Sequence, residues 1–355
     1  MRPQEDLDET SFNAPVREAA MTGRERILAL MRGERADHAG LMPITMMFAA
    51  GRIGANYSRY ALDSRVLVEA QLRTAEEYGL DHVSAITETR EAPDCGAEIR
   101  LFDNQPYALD EESSLLADKG VFTGLKMPEP GSARHMSDRL RGIEELRRRA
   151  GGELIVEGWV EGPCGAASDL RGINRLMLDF HDDPVFVRDL FEFVLQLGVA
   201  FGKAQVEAGA DVIGIGDPAA SLTGPRIYDE FVWPYQKRLV DGLHEAGAIV
   251  RLHICGNTRR SLAAMGRLGC EIVDIDSMMP IAEARAAMGA EQLLLGGIDP
   301  VRVLQDGTAE DVERAVEQCW QQAGPRYIVG AGCEVPAGTP HGNMLALAGA
   351  AKRLI

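Results

Sequence analysis

Short apolar runs rich in β-branched residues alternate with longer segments of helical periodicity along most of the chain. This alternation is typical of βα units, in which helices cover a parallel sheet. Eight such units form a (β/α)8 barrel of about 250 residues plus insertions, and a chain of 355 residues has room for one. We therefore predict a (β/α)8 TIM barrel, with an open doubly wound sheet as the alternative. The eight candidate strands are Leu41–Met47, Asp81–Ile86, Glu153–Val160, Asp211–Gly216, Ala248–Cys255, Ile272–Ser277, Leu293–Asp299 and Tyr327–Glu334.

Capping residues mark where several of the intervening helices begin. Thr22 and Glu25 have the spacing of a capping box ahead of an apolar helix. Asp183 followed by Pro184 predicts another helix start, because a side-chain acceptor and a proline both suit the first turn. No Gly/Ser-rich linker divides the chain. We predict one barrel domain over residues 21–355, preceded by a flexible acidic tail at residues 1–20.

A surplus of chain lies between the second and third candidate strands. Residues 97–137 are more than a single covering helix requires. They contain two short apolar runs, Ile99–Phe102 and Val121–Leu125, which we predict to pair as a hairpin over the mouth of the barrel. The sequence thus predicts an insertion near the barrel mouth.

Composition and cysteine spacing indicate which partners and which cellular compartment to expect. Lys and Arg total 37 against 54 Asp and Glu, a formal net charge of −17 that disfavours nucleic-acid and anionic membrane partners. No apolar run reaches the roughly 20 residues of a membrane helix, and the first residues do not resemble a secretory signal. The six cysteines form no Cys-x-x-Cys pair, which is typical of reduced thiols. We therefore expect a cytoplasmic protein.

The most informative motif is a histidine and a cysteine at the end of the fifth candidate strand. His253 and Cys255 are two residues apart, so both side chains leave the strand on the same side. Cys333 ends the eighth candidate strand, and in a closed barrel all strands end at one mouth. Imidazole and thiolate groups are typical zinc ligands. The sequence therefore predicts a zinc site of His253, Cys255 and Cys333; the alternative is buried structural cysteines beside a core histidine.

Carboxylates are also concentrated at the predicted strand ends, where a barrel enzyme carries its site. One of these strand ends also fits a dinucleotide-binding pattern, with glycines at 214 and 216 and Ala219. Pro218 occupies the start of the helix that would bind phosphate, so we favour a strand-end turn over a dinucleotide site. We predict catalytic roles for Glu157 and Asp217, and cofactor-binding roles for Asp276 and Asp299. Glu161 and Glu334 belong to the same group of strand-end carboxylates.

Several of these segments together resemble the uroporphyrinogen decarboxylase superfamily. Arg251–Gly256, Gly296–Asp299 and Gly332–Pro340 carry the strongest resemblance, and Arg24–Leu28 and Glu161–Pro163 extend it towards the amino terminus. The resemblance runs from about residue 22 to the end of the chain. Within the superfamily the chain is similar to the cobalamin-dependent branch, the methylcobamide:coenzyme M methyltransferases.

The resemblance implies a set of ligands, a cofactor and a partner. In that branch a His-x-Cys and a later Cys bind zinc, and these match His253, Cys255 and Cys333. A corrinoid (cobalamin) carried by a partner protein is implied as the second cofactor. The decarboxylase relatives further suggest a homodimer. The decarboxylases hold substrate carboxylates with an arginine-rich motif, of which only the segment around Arg52 is present here.

The resulting hypothesis is a zinc-dependent methyltransferase. Zinc lowers the pKa of a bound thiol, so a thiolate would be available to take a methyl group from the corrinoid. Transfer in the reverse sense, from a methylated small molecule to the corrinoid, fits the same residues. Two alternatives remain at this point: a metal-free decarboxylase of the uroporphyrinogen type, and a non-catalytic module that binds a corrinoid protein.

Overall fold

The computed structural model describes residues 20–88 and 91–355 and contains an eight-stranded parallel sheet. The strands follow the order β1-β10-β9-β8-β7-β6-β5-β2. Each of these eight strands lies within or overlaps one predicted from the sequence, and the predicted (β/α)8 fold is confirmed. The strands of the structure are β1 Gly40–Leu41, β2 His82–Ser84, β3 Ile99–Phe102, β4 Gln105–Leu109, β5 Ile155–Glu161, β6 Val212–Gly216, β7 Ile249–Ile254, β8 Ile272–Ile275, β9 Leu293–Gly296 and β10 Tyr327–Val329.

The barrel closes between its first and second strands through a side chain as well as the backbone. The amide of Asp81 donates to the carbonyl of Leu41 at 3.0 Å. Asp81 Oδ2 in turn accepts from the Leu41 amide at 2.7 Å. Arg26 pairs with the same carboxylate. A buried carboxylate therefore occupies the seam where a strand pair would otherwise leave backbone groups unsatisfied.

Helices cover the outside of this sheet, and the predicted caps are present. Thr22 with Glu25 forms a capping box at the first helix, and Asp183 caps the helix that begins at Pro184. Short 3-10 helices span Lys119–Gly124 and Pro218–Leu222, and π-helical turns span Tyr228–Val232 and Pro300–Gln305. The α-helices are α1 Gly23–Met31, α2 Met47–Arg52, α3 Tyr57–Leu62, α4 Ser64–Tyr78, α5 Glu91–Asp94, α6 Arg134–Ala150, α7 Pro163–Arg171, α8 Ile173–Asp182, α9 Pro184–Glu207, α10 Gly224–Ile227, α11 Trp233–Glu245, α12 Leu262–Met265, α13 Ile281–Met288, α14 Ala309–Ala323 and α15 His341–Arg353.

Two groups of buried apolar side chains position the site. The larger group lies between the strands and the surrounding helices. A smaller group includes Ile155, Val212 and Ile328 from the strands, together with Met42, which follows β1, and Ile27 of α1. Helix α1 therefore packs against the amino-terminal end of the barrel. The opposite, carboxyl-terminal end is left for polar side chains, as in other barrels of this type.

The insertion contains a hairpin, but its second strand differs from the prediction. Ile99–Phe102 pairs in antiparallel fashion with Gln105–Leu109. Val121–Leu125, the predicted partner, instead falls largely in the 3-10 helix Lys119–Gly124, which Asp118 caps. The prediction was wrong because Gln105–Leu109 follows Ile99–Phe102 after only two residues. A two-residue loop is the commonest connection of a hairpin, so this segment takes the place of the more distant one. Phe122 packs edge-on against Phe186 and Phe193 of α9.

Two other sequence predictions concern the ends of the chain and membranes. The predicted acidic tail at residues 1–20 lies outside the described residues except for Ala20. Across residues 20–88 and 91–355, no helix combines the length and the apolar character that a bilayer span needs.

Candidate metal centre

Three potential metal ligands converge at the carboxyl-terminal mouth of the barrel. His253 Nε2 lies 3.0 Å from Cys255 Sγ, and Cys255 Sγ lies 3.8 Å from Cys333 Sγ. One ligand atom from each of the three residues lies within 4.8 Å of the other two. Among the described residues, this is the one group of three or more His, Cys, Asp and Glu side chains that meets this spacing. The sequence prediction had named the same three residues.

Local backbone features explain why the two cysteines meet. His253 lies in β7, and Gly256 has a φ of +91°, so the chain turns immediately after Cys255. Past β10, the Gly332 amide donates to the carbonyl of Ile298 at 2.8 Å. A Cβ atom on Gly332 would lie 2.3 Å from the backbone nitrogen of Ser277. Only a glycine therefore lets this segment pass close enough to place Cys333 beside Cys255.

Replacing Gly332 with alanine is expected to weaken metal binding. The added methyl group has to displace the backbone at Ser277 or at its own position, and Cys333 is the next residue. We expect zinc affinity, measured by competition with a chromogenic chelator, to fall about tenfold or more. Gly51→Ala is the matched control, because a Cβ at that position in α2 meets nothing within 4 Å. Wild-type zinc affinity in Gly332→Ala would contradict the packing argument.

The three ligands share protons in the metal-free protein. A hydrogen bond from Cys255 and the neighbouring His253 lower the pKa of Cys333 to about 5, although burial opposes this shift. The same hydrogen bond raises the pKa of Cys255. Burial lowers the pKa of His253, but the Asp274 carboxylate and Cys333 outweigh burial and raise it to about 10. Metal binding therefore has to displace protons from this group.

A line of buried ionisable side chains leads away from the ligands through the barrel. His253 Nδ1 lies 3.4 Å from Asp274 Oδ2, and the same carboxylate oxygen is paired with Arg251 at 2.5 Å. Arg251 also pairs with Glu157 Oε1 at 3.0 Å, and Glu157 Oε2 lies 3.4 Å from His82 Nδ1. All five residues are buried. The strand-end residue His253 is thus connected to charges deep inside the barrel.

A cavity of about 180 Å³ opens beside the ligands. His253, Cys255 and Cys333 all contribute to its wall. The rest of the wall combines apolar side chains with a group of carboxylic acids and one arginine. These residues include Ile44, Met46, Ile86, Trp159, Val160, Glu88, Glu91, Glu161, Glu334 and Arg139.

Burial raises the pKa of two of the cavity carboxyl groups. Burial raises the pKa of Glu334 to about 8, although the Met47 amide, which donates to Oε1 at 2.7 Å, works against that shift. Burial also raises the pKa of Glu161 well above its usual range, and the nearby carboxylate of Asp169 adds to the effect. Burial therefore favours the protonated form of both carboxyl groups in the cavity wall.

A second cavity of about 430 Å³ adjoins the first. The two share Glu88, Glu161 and Pro218 in their walls. Tyr107 and Leu109, from β4 of the insertion hairpin, line the second cavity. The insertion therefore lies at the barrel mouth, as the sequence predicted, and shapes the approach to the ligand group.

The two carboxylates predicted to be catalytic lie outside both cavity walls. Glu157 is fully buried beneath the ligands and pairs with Arg251. Asp217 is also fully buried, and it accepts hydrogen bonds from the Gly165 amide at 2.7 Å and from Gln236 Nε2 at 2.8 Å. Their placement argues against direct contact with a substrate, and it gives both a role in holding neighbouring elements.

The two carboxylates predicted to bind a cofactor are engaged with backbone amides. Asp276 accepts from the amides of Gly256 and Met278 at 2.8 and 2.7 Å. It thereby fixes the turn that follows Cys255. Asp299 accepts from the amides of residues 301 and 302 at the start of the π-helical turn Pro300–Gln305. A direct cofactor contact by either residue stays a prediction.

Sequence reasoning gave no role to Arg251 or Asp274. One signal was available for Asp274, since a lone carboxylate in the apolar run Ile272–Ile275 needs a buried partner. The partner could not be read from the sequence. In the structure His253 and Asp274 stand opposite each other in the β7–β8 register.

Comparison with known proteins shows the family of the chain. The family model described as Uroporphyrinogen decarboxylase (URO-D) matches residues 22–354. The methylcobamide:CoM methyltransferase MtbA of Methanosarcina mazei is 29% identical over 342 residues, which cover 93% of this chain and 98% of that protein. The MtbA protein of Methanosarcina acetivorans is 30% identical over 269 residues, covering 75% of this chain and 77% of that protein.

A solved structure supports the fold independently. A methyltransferase from Methanosarcina mazei superposes with a TM-score of 0.84, covering 94% of this chain and 99% of that chain at 21% identity. The superposition confirms the barrel architecture. The family match and the two relatives show that the chain belongs to the uroporphyrinogen decarboxylase (URO-D) family, in the methyltransferase branch that its motifs resemble.

Proposed function

We propose that this protein is a zinc-dependent methyltransferase that moves a methyl group between a corrinoid and a small molecule, with a thiol as the preferred acceptor. The observation that carries the proposal is the placement of His253, Cys255 and Cys333 in the wall of one cavity at the barrel mouth. The methylcobamide:CoM methyltransferases among its relatives support the same chemistry.

The donor set suits zinc. Two thiolates and one imidazole are borderline-soft ligands of the kind that zinc sites use, and three protein ligands leave a position open for a substrate. Two thiolates also balance the 2+ charge of the ion, so a buried site carries little net charge. A zinc ion held by these residues would lower the pKa of a substrate thiol and supply a thiolate near neutral pH.

The protein's own residues contribute binding and exclusion of water. Ile44, Met46 and Trp159 provide apolar contact for the carbon skeleton of a substrate in the 180 Å³ cavity. Glu161 and Glu334 line the same cavity, and burial raises the pKa of both, which favours carboxyl groups that would donate hydrogen bonds to polar atoms of that substrate. A cavity of this size admits a small molecule and leaves little room for bulk water, which would compete for the methyl group.

A corrinoid-carrying protein is the partner that we propose. The two adjoining cavities at the mouth measure about 180 and 430 Å³, and each is smaller than a corrinoid. A corrinoid would therefore approach the mouth from outside, as on a partner protein. We also propose a cytoplasmic location, where the two ligand thiols stay reduced. A homodimer stays an expectation.

The decisive experiment follows the corrinoid spectrum. Zinc-loaded protein is mixed with methylcobalamin and a panel of thiols and folates, and in the reverse direction with reduced cobalamin and methylated donors. A zinc-dependent loss or gain of methyl-corrinoid absorbance, with a matching methylated product, supports the proposal. Binding of a corrinoid protein without transfer across the whole panel would favour a binding module. Decarboxylation of uroporphyrinogen by metal-free protein would favour the decarboxylase alternative.

A further inference from the structure

The line of buried charges behind the ligands has no role in the chemistry described so far. His82, Glu157, Arg251 and Asp274 are each 1% exposed or less, and His253 is 5% exposed. Burying four charged or titratable groups away from the substrate costs free energy unless their arrangement is needed. They come from strands β2, β5, β7 and β8, so the line crosses the interior of the barrel.

The geometry at His253 indicates what the line does. Nε2 faces the sulfur of Cys255 at 3.0 Å, whereas Nδ1 faces the opposite way, 3.4 Å from Asp274 Oδ2. Nδ1 is buried and has no other hydrogen-bond acceptor among the described residues. A metal-binding histidine usually donates its second ring N–H to a carboxylate or carbonyl, which fixes both the tautomer and the ring orientation.

We propose that Asp274 is a positioning residue that holds His253 with its proton on Nδ1 and its lone pair on Nε2 directed at the metal. The proposal rests on the zinc site of the proposed function. The β7–β8 register supports it, because His253 and Asp274 are paired residues on neighbouring parallel strands and point to the same face. The strand pairing therefore keeps Asp274 close to the His253 ring.

Arg251 completes the arrangement by holding Asp274. Its guanidinium pairs with Asp274 Oδ2 on one side and with Glu157 Oε1 on the other. The Trp159 ring covers it, with the guanidinium carbon 5.3 Å from the ring centroid. Asp274 Oδ1 has no hydrogen-bond partner among the described residues, so Arg251 is the group that fixes the carboxylate orientation. Arginine suits this task because its planar fork can serve two carboxylates at once.

Asp274→Asn is the primary test. The amide keeps the shape of the carboxylate but loses the charge that orients the Nδ1 proton. We expect zinc affinity to fall about 10- to 100-fold. The visible spectrum of the Co²⁺-substituted protein should also change, because the imidazole no longer holds one orientation at the metal. Both readouts are independent of methyl transfer.

Asp81→Asn is the matched control. Asp81 is also a carboxylate of a barrel strand end, is 2% exposed and pairs with an arginine, Arg26, but it lies at the opposite end of the barrel. We expect this variant to lose stability while it keeps wild-type zinc affinity. Denaturant unfolding of each metal-free variant shows whether a loss of affinity exceeds a general loss of structure.

Arg251→Lys provides a second route if Asp274→Asn does not fold. Lysine keeps the charge but cannot pair with two carboxylates through one planar group, so zinc affinity should fall by about three- to tenfold. The Co²⁺ spectrum should change in the same direction as in Asp274→Asn. Wild-type zinc affinity and an unchanged Co²⁺ spectrum in folded Asp274→Asn or Arg251→Lys would overturn the inference.

The result can be separated from a failure of the proposed function. If wild-type protein binds no stoichiometric zinc, both the zinc site and this inference are wrong. If wild-type protein binds zinc and transfers no methyl group, the proposed function is wrong, and the affinity of Asp274→Asn still decides the positioning role. If wild-type protein does both and Asp274→Asn matches it in affinity and spectrum, only the inference is wrong.

Discussion

Replacing Cys255 and Cys333 together with serine is expected to abolish zinc binding. A serine hydroxyl stays protonated where a cysteine ionises, so the double variant offers His253 alone as a strong ligand. We expect the zinc content, measured by elemental analysis after dialysis, to fall from about one ion per chain to less than about a tenth. Methyl transfer in the corrinoid assay should fall to the background of the zinc-free mixture.

A stability measurement provides a second readout of the same change. Zinc that binds only the folded state stabilises it, by about 2.7 kcal/mol when the free ion is at 100 times its dissociation constant. The wild-type midpoint of unfolding should therefore rise when zinc is added. The double variant should show no such rise.

The control variant replaces two cysteines outside the ligand group. Cys95 and Cys319 are partly buried, like the two ligand cysteines, but belong to no metal-binding group in the described part of the chain. Cys95→Ser with Cys319→Ser should keep the full zinc content. Stoichiometric zinc in the Cys255→Ser, Cys333→Ser protein would show that the metal, and the function that depends on it, lie elsewhere.

The ligand group could be predicted because it depends only on strand periodicity and topology. His253 and Cys255 share a face at a spacing of two, whatever the rest of the fold. Cys333 follows a strand of the same parallel barrel, and such strands all end at one mouth. Neither step needs a side-chain contact. The sequence was therefore sufficient to predict that these three residues meet, as it was for the eight strands, and their binding of a metal stays a prediction.

The residues behind the ligands could not be predicted in the same way. Whether Asp274 faces His253 depends on the register between β7 and β8, and a shift of one residue would turn Asp274 to the other face. Glu157 was singled out because its strand ends at the mouth, yet it lies lower in the barrel and faces Arg251. Some carboxylates near the strand ends thus line the cavity, as Glu161 does, whereas others, such as Glu157, lie inside the barrel. The sequence alone does not distinguish the two kinds.

Replacing Glu157 with glutamine is expected to destabilise the protein in a pH-dependent way. Burial acts to raise the pKa of Glu157, but Arg251 and, to a smaller degree, His82 lower it to about 2 from an ordinary value of 4.5. A pKa lowered in the folded state contributes stability above the unfolded pKa, and that contribution is lost as the pH falls through the folded value. The stabilisation should be complete at pH 7 and decline between about pH 4.5 and 2.

The expected loss at pH 7 is about 3 kcal/mol in the free energy of unfolding, the equivalent of the pKa difference. Urea unfolding of wild type and Glu157→Gln at pH 7, 5 and 4 measures it, and the difference between the two proteins should begin to narrow below pH 4.5. Glu145→Gln is the control, since Glu145 pairs with Arg148 on the outer face of α6 and should leave unfolding unchanged. If Glu157→Gln is as stable as wild type at pH 7, or if the difference widens on acidification, then the charged pairing of Glu157 with Arg251 does not hold the barrel interior together.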